Sequence, residues 1–304
     1  MRRQIDPTVD CVFKAILGKE ENKNLLIHFL NAILRRTGAR RIVEVVIANP
    51  YNEREFLESK LSIVDVKATD REGRQYQIEV QRAIHAGLEA RMLFTWSALY
   101  HGQLGKGQSF LHLRPVIAIW LLRKPLFPDL PAYHIPFGVY NLPHRLQLTD
   151  QMAIHVLQVP KWQASKGRPD ARDRWMYFFK HGRDLDPAAP PTMLQTKEMT
   201  QAMNVLAGFS EKEKDYLLYE QRLEAERVEL TWRELLEQAT AALERERREK
   251  EREQQEKERE RREKEQLLQE KEREYREKEQ QLLKEMEHLQ ALLQQSGIDP
   301  KQSV

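Results

Sequence analysis

The sequence predicts an α/β domain, a mixed sheet flanked by helices, followed by a long charged C-terminal helix. Three observations carry that expectation. Two helical patterns precede a group of short β-branched runs. Another helical pattern separates those runs from further strands, giving the order α-α-β-β-β-α-β. Charge then concentrates in residues 244–287, where 15 basic and 17 acidic side chains fill 44 positions. The 243 residues before that segment hold 34 basic and 29 acidic side chains, a net +5 that the whole-chain value of +3 conceals.

The elements follow in order. Asp6 or Thr8 is placed to cap a first helix, with Pro7 tolerated at its edge. Val12, Phe13, Ile16 and Leu17 repeat at helical spacing until Gly18. Leu25, Leu26, Phe29, Leu30, Ile33 and Leu34 form a second amphipathic helix running to about Arg36 and stopped at Thr37-Gly38. Ile42–Asn49 is rich in β-branched residues and ends at Pro50, so it reads as a strand. Leu61–Ala68 and Gln75–Gln81 alternate on either side of Thr69-Asp70-Arg71-Glu72-Gly73-Arg74, a β-hairpin signal. Leu88–Leu104 is expected to be a helix with Ala90, Leu93, Phe94, Ser97 and Ala98 as its small and apolar stripe. Pro115–Leu122 has the length of a buried strand, and Tyr133–Tyr140 and Met152–Val159 are further strands. A helix begins near Pro169-Asp170 and contains Trp175–Lys180. Pro187–Thr192 reads as a linker, with helical material from Met193 to about Leu243. The aromatic residues Trp162, Trp175, Tyr177, Phe178 and Phe179 are expected in the core.

Several classes are excluded at this level. The longest apolar runs, such as Val116–Leu122, fall far short of the roughly 20 residues that span a bilayer. Arg2 and Arg3 have no apolar run behind them, so no secretory signal is expected. One cysteine, Cys11, forms no intramolecular disulfide and is expected to be a buried, inert thiol. The expectation is a soluble cytoplasmic protein with no membrane partner. His101–Gly107 has glycines and Lys106 but follows a helix and lacks Ser or Thr after the lysine, so it is not a phosphate-binding loop. The nine histidines show no pair at metal-ligand helical spacing.

The hairpin carries the chemistry. Gln77, Glu79 and Gln81 share one face of the second strand, and Asp65 and Lys67 share a face of the first. Asp65 meets Glu79 only if the turn has an odd number of loop residues. A two-residue loop at Arg71-Glu72 separates them. A three-residue loop, Arg71-Glu72-Gly73, pairs Asp70 with Arg74 and sets Asp65 opposite Glu79, with Gly73 in the left-handed position such a loop requires. The turn chemistry favours the second register. Two carboxylates and the Val80 backbone carbonyl then supply hard oxygen ligands suited to Mg²⁺ or Mn²⁺. The alternative reading is a solvent-facing hairpin whose outer face happens to be polar.

The string Asp65-x-x-Ala68-x(10)-Glu79-Val80-Gln81 resembles the Asp…Glu-x-Gln core of the PD-(D/E)XK nuclease family transposases, also called recombination-promoting nucleases. Asp10-x-x-Phe13-Lys14-x-x-x-Gly18 and Leu30-Asn31-Ala32-Ile33-Leu34 resemble that family's N-terminal helices. Tyr100, Gly107, Phe110, Leu113 and Pro115-Val116-Ile117 resemble its segment after the site strand. The resemblance covers roughly residues 5–200 and implies a restriction-endonuclease-like fold. It implies metal ligation by Asp65 and Glu79, with Gln81 at the position where related enzymes carry lysine. Gln81 brings no charge but can donate an amide hydrogen bond; Lys67, Lys60 or Lys14 is then the candidate source of positive charge. Asp10 matches an acidic position of the family, with a helix-capping role as the alternative. Arg35, Arg36, Arg40, Arg41 and Arg82, together with Arg2, Arg3, Arg71 and Arg74, are candidates for a phosphate-binding rim on DNA, the first four being equally readable as a solvated helix end.

The domain boundaries expected from these patterns are residues 1–190 for the nuclease-like domain, 191–243 for a helical extension, 244–266 for a charged single-helix spacer, 267–295 for a short coiled-coil segment and 296–304 for a disordered end. Glu244 to Gln266 contains no apolar residue, while acid–base pairs such as Glu244–Arg248 and Glu258–Arg262 recur at i,i+4. Leu268, Tyr275, Leu282 and Leu289 then recur every seven residues, with Met286 and Leu293 in the intermediate seam, which implies a homo-oligomer assisted by this helix. The expected function is a Mg²⁺-dependent (or Mn²⁺-dependent) DNA endonuclease linked to recombination or mobile elements. Its rival is a nuclease-fold module, catalytically weak or inactive, that binds DNA or protein.

Overall fold

The computed structural model describes residues 3–48, 65–164, 167–186 and 188–295, with backbone alone for Asp65 and residues 293–295. Helices α1 (Asp10–Leu17) and α2 (Lys23–Leu34) form where the apolar spacing predicts, and bury Val12, Phe13, Ile16, Leu25, Phe29 and Ile33. Asp6 sits just before α1 and accepts from the Thr8 amide at 2.8 Å. Arg35 takes the left-handed conformation (φ 51°), which ends α2 just short of the expected Arg36.

Six strands form one sheet among the described residues: β1 (Val45–Ile47), β2 (Asp65–Asp70), β3 (Gln75–Gln81), β4 (Val116–Leu122), β5 (His134–Asn141) and β6 (Leu146–Gln158). Their order is β1-β2-β3-β4-β6-β5. The β3–β4 and β4–β6 pairings are parallel and the others antiparallel, so the sheet is mixed as expected. The strand expected over Ile42–Asn49 contracts to Val45–Ile47. Its start is diverted because the Asn31 side chain of α2 bonds both the amide and the carbonyl of Ile42, each at 2.8 Å. Positions 61–64 of the expected first hairpin strand lie outside the described residues. β6 starts at Leu146 rather than Met152, since an exposed hairpin arm with β5 precedes its buried half.

The sheet has two covered faces. Ile78, Val80, Ile117, Ile119 and Leu121 point toward α1, α2, α4 (Ala171–His181) and α5 (Lys197–Glu211) in the larger core. Ala118, Trp120, Leu122, Ile154 and Val156 point the other way and meet Leu88 and Met92 of α3 (Leu88–His101). That contact corrects the stripe expected on α3: Leu93 and Phe94 are exposed, and the inward face is instead Leu88 and Met92, with Trp96 packed against it. Two helix faces were comparably apolar in sequence, and the sheet selected one. β4 is buried along its whole length, as a central strand with both faces covered should be.

The aromatic residues pack as core. Trp175 stacks on Phe179 with centroids 5.6 Å apart, and its indole donates to His28 Nδ1 at 3.0 Å. Cys11 is fully buried and its thiol pKa is pushed up by burial, so it stays protonated. The core also takes Leu194, Met199, Met203, Leu206 and Phe209 from beyond residue 190, the segment assigned above to a helical extension. The first compact unit accordingly runs to Arg227, and the second begins at Val228. Helix α6 (Glu213–Gln295) contains the charged segment, where Glu244–Arg248 and Glu258–Arg262 pair on its exposed surface. Each such pair adds about 0.2–0.5 kcal/mol to helix stability. No described helix is long and apolar enough to cross a membrane.

Two histidines 21 positions apart meet across β5 and β6. Arg172 Nη1 lies 3.0 Å from His134 Nδ1, and His134 Nε2 lies 2.9 Å from His155 Nδ1. Arginine only donates, so His134 Nδ1 is the acceptor, and its Nε2–H donates to His155. Both rings are thereby held neutral. Burial first, then His155, Arg172 and Arg35, lowers His134 to about 3; burial and Arg36 lower His155 to about 4. A folded-state pKa below the unfolded value of about 6.5 gives stability that is complete above pH 6.5 and falls as pH drops toward the folded values. Urea unfolding at pH 5 should therefore show a loss of about 2 kcal/mol from this pair relative to pH 7, allowing for partial solvent screening. The His134→Gln/His155→Gln variant should flatten that pH dependence; an unchanged slope would exclude the pair as its source.

Candidate functional site

The site begins with the turn between β2 and β3. The Asp70 amide donates to the Arg74 carbonyl at 3.1 Å, the Gly73 amide donates to the Asp70 carbonyl at 3.0 Å, and Gly73 has φ +77°. This is the three-residue loop, and the register follows: Asp65 opposite Glu79, Lys67 opposite Gln77. Asp70 fixes the turn from inside. Its Oδ1 accepts from the Glu72 and Arg74 amides, and its Oδ2 accepts from Arg74 Nε and the Tyr76 hydroxyl, both at 2.7 Å.

Strand alternation places Asp65, Lys67, Gln77, Glu79 and Gln81 on the α3 face of the sheet. The Asp65–Glu79 pair is a non-hydrogen-bonded one, because the ladder bonds fall on the alternate pairs counted from Asp70–Arg74; pairs of this kind are the closer ones in an antiparallel ladder, with Cα atoms typically about 4.5 Å apart. The Gln81 carbonyl accepts from the Arg123 amide beyond the end of β4. By the same alternation the Val80 carbonyl points to the β2 side, where Asp65 begins the described strand.

Glu79 is completely buried. Gln77 Nε2 donates to its Oε1 at 2.6 Å, and Arg91 Nη2 of α3 donates to its Oε2 at 3.3 Å. Trp120 lies beside Glu79 in the β3–β4 register, with the Arg91 guanidinium 5.7 Å from its ring centroid. Sequence reasoning missed Arg91. The signal was a cation three residues after Leu88, on the flank that the sheet covers. Gln77 was placed on the right face but without a role.

The remaining candidates sit on α1, just after β3 and after α2. Asp10 opens α1, accepts from the Cys11 amide at 2.7 Å and pairs with Arg222 at 3.6 Å. Burial raises its pKa, against the opposing charges of Arg222, Arg82 and Lys14. Lys14 is half-buried on the same helix. Arg82 is 3.5 Å from the buried Asp6 carboxylate and 3.2 Å from Glu226, so its charge is engaged inside the protein rather than on a rim. Arg35, Arg36, Arg40 and Arg41 follow α2, whose buried side belongs to the opposite core layer from Glu79. The structure does not bring them to the carboxylates. Lys60 lies outside the described residues.

The donor set suits a hard dication. Glu79 offers a buried carboxylate that already requires positive compensation, and the neighbouring backbone carbonyl is an oxygen donor as well. Asp65, on which the second carboxylate depends, is described by its backbone alone, and among the described residues no group of three acidic, histidine or cysteine side chains forms a ready-made cluster.

A family model for the PD-(D/E)XK nuclease family transposases matches residues 7–230. Searches of curated proteins and of solved structures returned no match. The matched span takes in both N-terminal helices, the whole sheet and the hairpin that pairs Asp65 with Glu79, and on that extent the chain belongs to the PD-(D/E)XK nuclease family transposases.

Proposed function

We propose that the protein is a divalent-metal-dependent DNA endonuclease whose site is the α3-facing patch of the β2–β3 hairpin. The observation that carries this reading is the Asp65–Glu79 register in a chain of a nuclease family. Asp65, Glu79 and the Val80 carbonyl would hold Mg²⁺ or Mn²⁺. Such an ion polarises a phosphodiester and lowers the pKa of bound water. The chain's own residues do the rest. Gln77 orients the Glu79 carboxylate through its 2.6 Å hydrogen bond. Gln81, two residues on and on the same face, presents an amide that can donate to a phosphate oxygen or accept from the attacking water. Lys67, two residues from Asp65 and on that face, supplies positive charge that Gln81 lacks.

The test is nicking of supercoiled plasmid by the purified full chain in Mg²⁺ or Mn²⁺, against EDTA and against Asp65→Ala. Cleavage that needs the ion and disappears in the variant supports the site. Cleavage persisting in Asp65→Ala would remove it. Gln81 favours a second reading, a DNA-binding module that does not cut; retained DNA binding with no cleavage in any divalent metal would select it. In the C-terminal helix, Leu268, Tyr275, Leu282, Met286 and Leu289 are all solvent-exposed along one heptad seam, which supports pairing with a second copy of the chain.

A further inference from the structure

We propose that Arg91 is a built-in counter-ion: it neutralises Glu79 when no divalent cation is bound, and it sets the affinity of the site by competing with that cation. The inference rests on the reading of the hairpin as a metal site. Glu79 is a carboxylate with no solvent exposure, and an ionised group there persists only if it is paired and hydrogen-bonded. Gln77 supplies the hydrogen bond without charge, its own carbonyl oxygen remaining buried with no hydrogen-bond partner. Arg91 supplies charge from the covering helix.

The Arg91 contact has the features of a releasable one. At 3.3 Å it is longer than the roughly 2.7–2.9 Å of a tight charge-assisted hydrogen bond. The side chain of Arg91 is 29% exposed while that of Glu79 is 0%, so the cation can reach solvent and the acid cannot. The Trp120 ring, 5.7 Å from the guanidinium, offers a surface on which it can rest after leaving the carboxylate. A dication held by Glu79 and the guanidinium donating to the same carboxylate repel each other, so each weakens the other's hold. Lys67 faces the same patch from β2 and not from the covering helix.

The experiment is calorimetric titration of the full-length protein with Mn²⁺, comparing wild type, Arg91→Gln, Glu79→Gln and the remote control Lys106→Gln. Arg91→Gln is expected to bind Mn²⁺ about tenfold or more tightly, the scale on which groups contacting a metal ligand act. Lys106→Gln should match wild type, and Glu79→Gln should lose binding. Equal affinity in wild type and Arg91→Gln overturns the counter-ion role and leaves the metal site standing. Absence of Mn²⁺ binding in every protein, or undiminished binding in Glu79→Gln, overturns the metal site and the inference with it. Should Arg91→Gln fail to fold, nitrogen NMR of the arginine Nε–H groups in wild type decides: the Arg91 resonance, assigned with Arg91→Lys, should shift saturably with Mg²⁺, and a resonance that does not move overturns the proposal.

Discussion

Replacing Glu79 by glutamine should lower Mg²⁺-dependent plasmid nicking by on the order of 10³-fold while leaving the fold intact. The size follows from the several kcal/mol of charge stabilisation that a well-held ion contributes, at about 1.4 kcal/mol per tenfold in rate. Glutamine keeps the shape and one acceptor oxygen, so Gln77 retains a partner. The buried negative charge disappears, and with it the need for compensation in a completely buried position. Arg91 loses its partner but is partly solvated, which limits the cost. Circular dichroism and urea unfolding should therefore resemble wild type while gel-resolved nicking collapses. A rate within about threefold of wild type would place the chemistry away from Glu79.

The largest stability effect is expected at Asp70. Its carboxylate takes four hydrogen bonds, from two turn amides, Arg74 Nε and the Tyr76 hydroxyl, and only 3% of its side chain is exposed. Asp70→Ala leaves the Tyr76 hydroxyl without that partner in the core and Arg74 without its buried one, at a cost of about 3–5 kcal/mol. The turn that sets the Asp65–Glu79 register is lost with it. Urea unfolding measures the loss, and a value below about 1 kcal/mol would show that the turn is held by other contacts. Adding Tyr76→Phe to Asp70→Ala removes one stranded hydroxyl, so the double variant should be more stable than the sum of the two single changes predicts.

Both residues were visible in the sequence to different degrees. Glu79 stood out because Glu-x-Gln sits on one face of a strand, and the turn chemistry brought Asp65 to it. Gly73 was informative because a left-handed loop position admits few other residues, and an added Cβ there would meet Arg114 Cγ at 3.0 Å. Asp70 read only as a turn residue. Its four-bond role depends on Tyr76 and Arg74 reaching back to it, which follows from the register and not from composition. Arg91 was hidden for a similar reason. α3 carries apolar residues on more than one side, and only contact with Trp120 and Ile154 decides that Leu88 and Met92, and so Arg91, face inward.

The candidate arginine rim shows the opposite failure. Arg35, Arg36, Arg40 and Arg41 are close in sequence to one another and far from Glu79 in layer, because α2 packs on the Ile78–Val80 side of the sheet. The His134–His155 pair likewise needs two strands to meet before it exists.

The sequence by itself determined what is local: helix and strand periods, the loop that fixes one hairpin register, and the alternation of acids and amides along β3. These depend on backbone geometry within a few residues, so residue type and spacing suffice. The tertiary structure decided which face of α3 meets the sheet, that the core continues past residue 190, and that Arg91 rather than the arginine-rich helix end reaches Glu79. Those outcomes depend on which apolar surfaces find each other across long chain separations, and no local pattern encodes that choice.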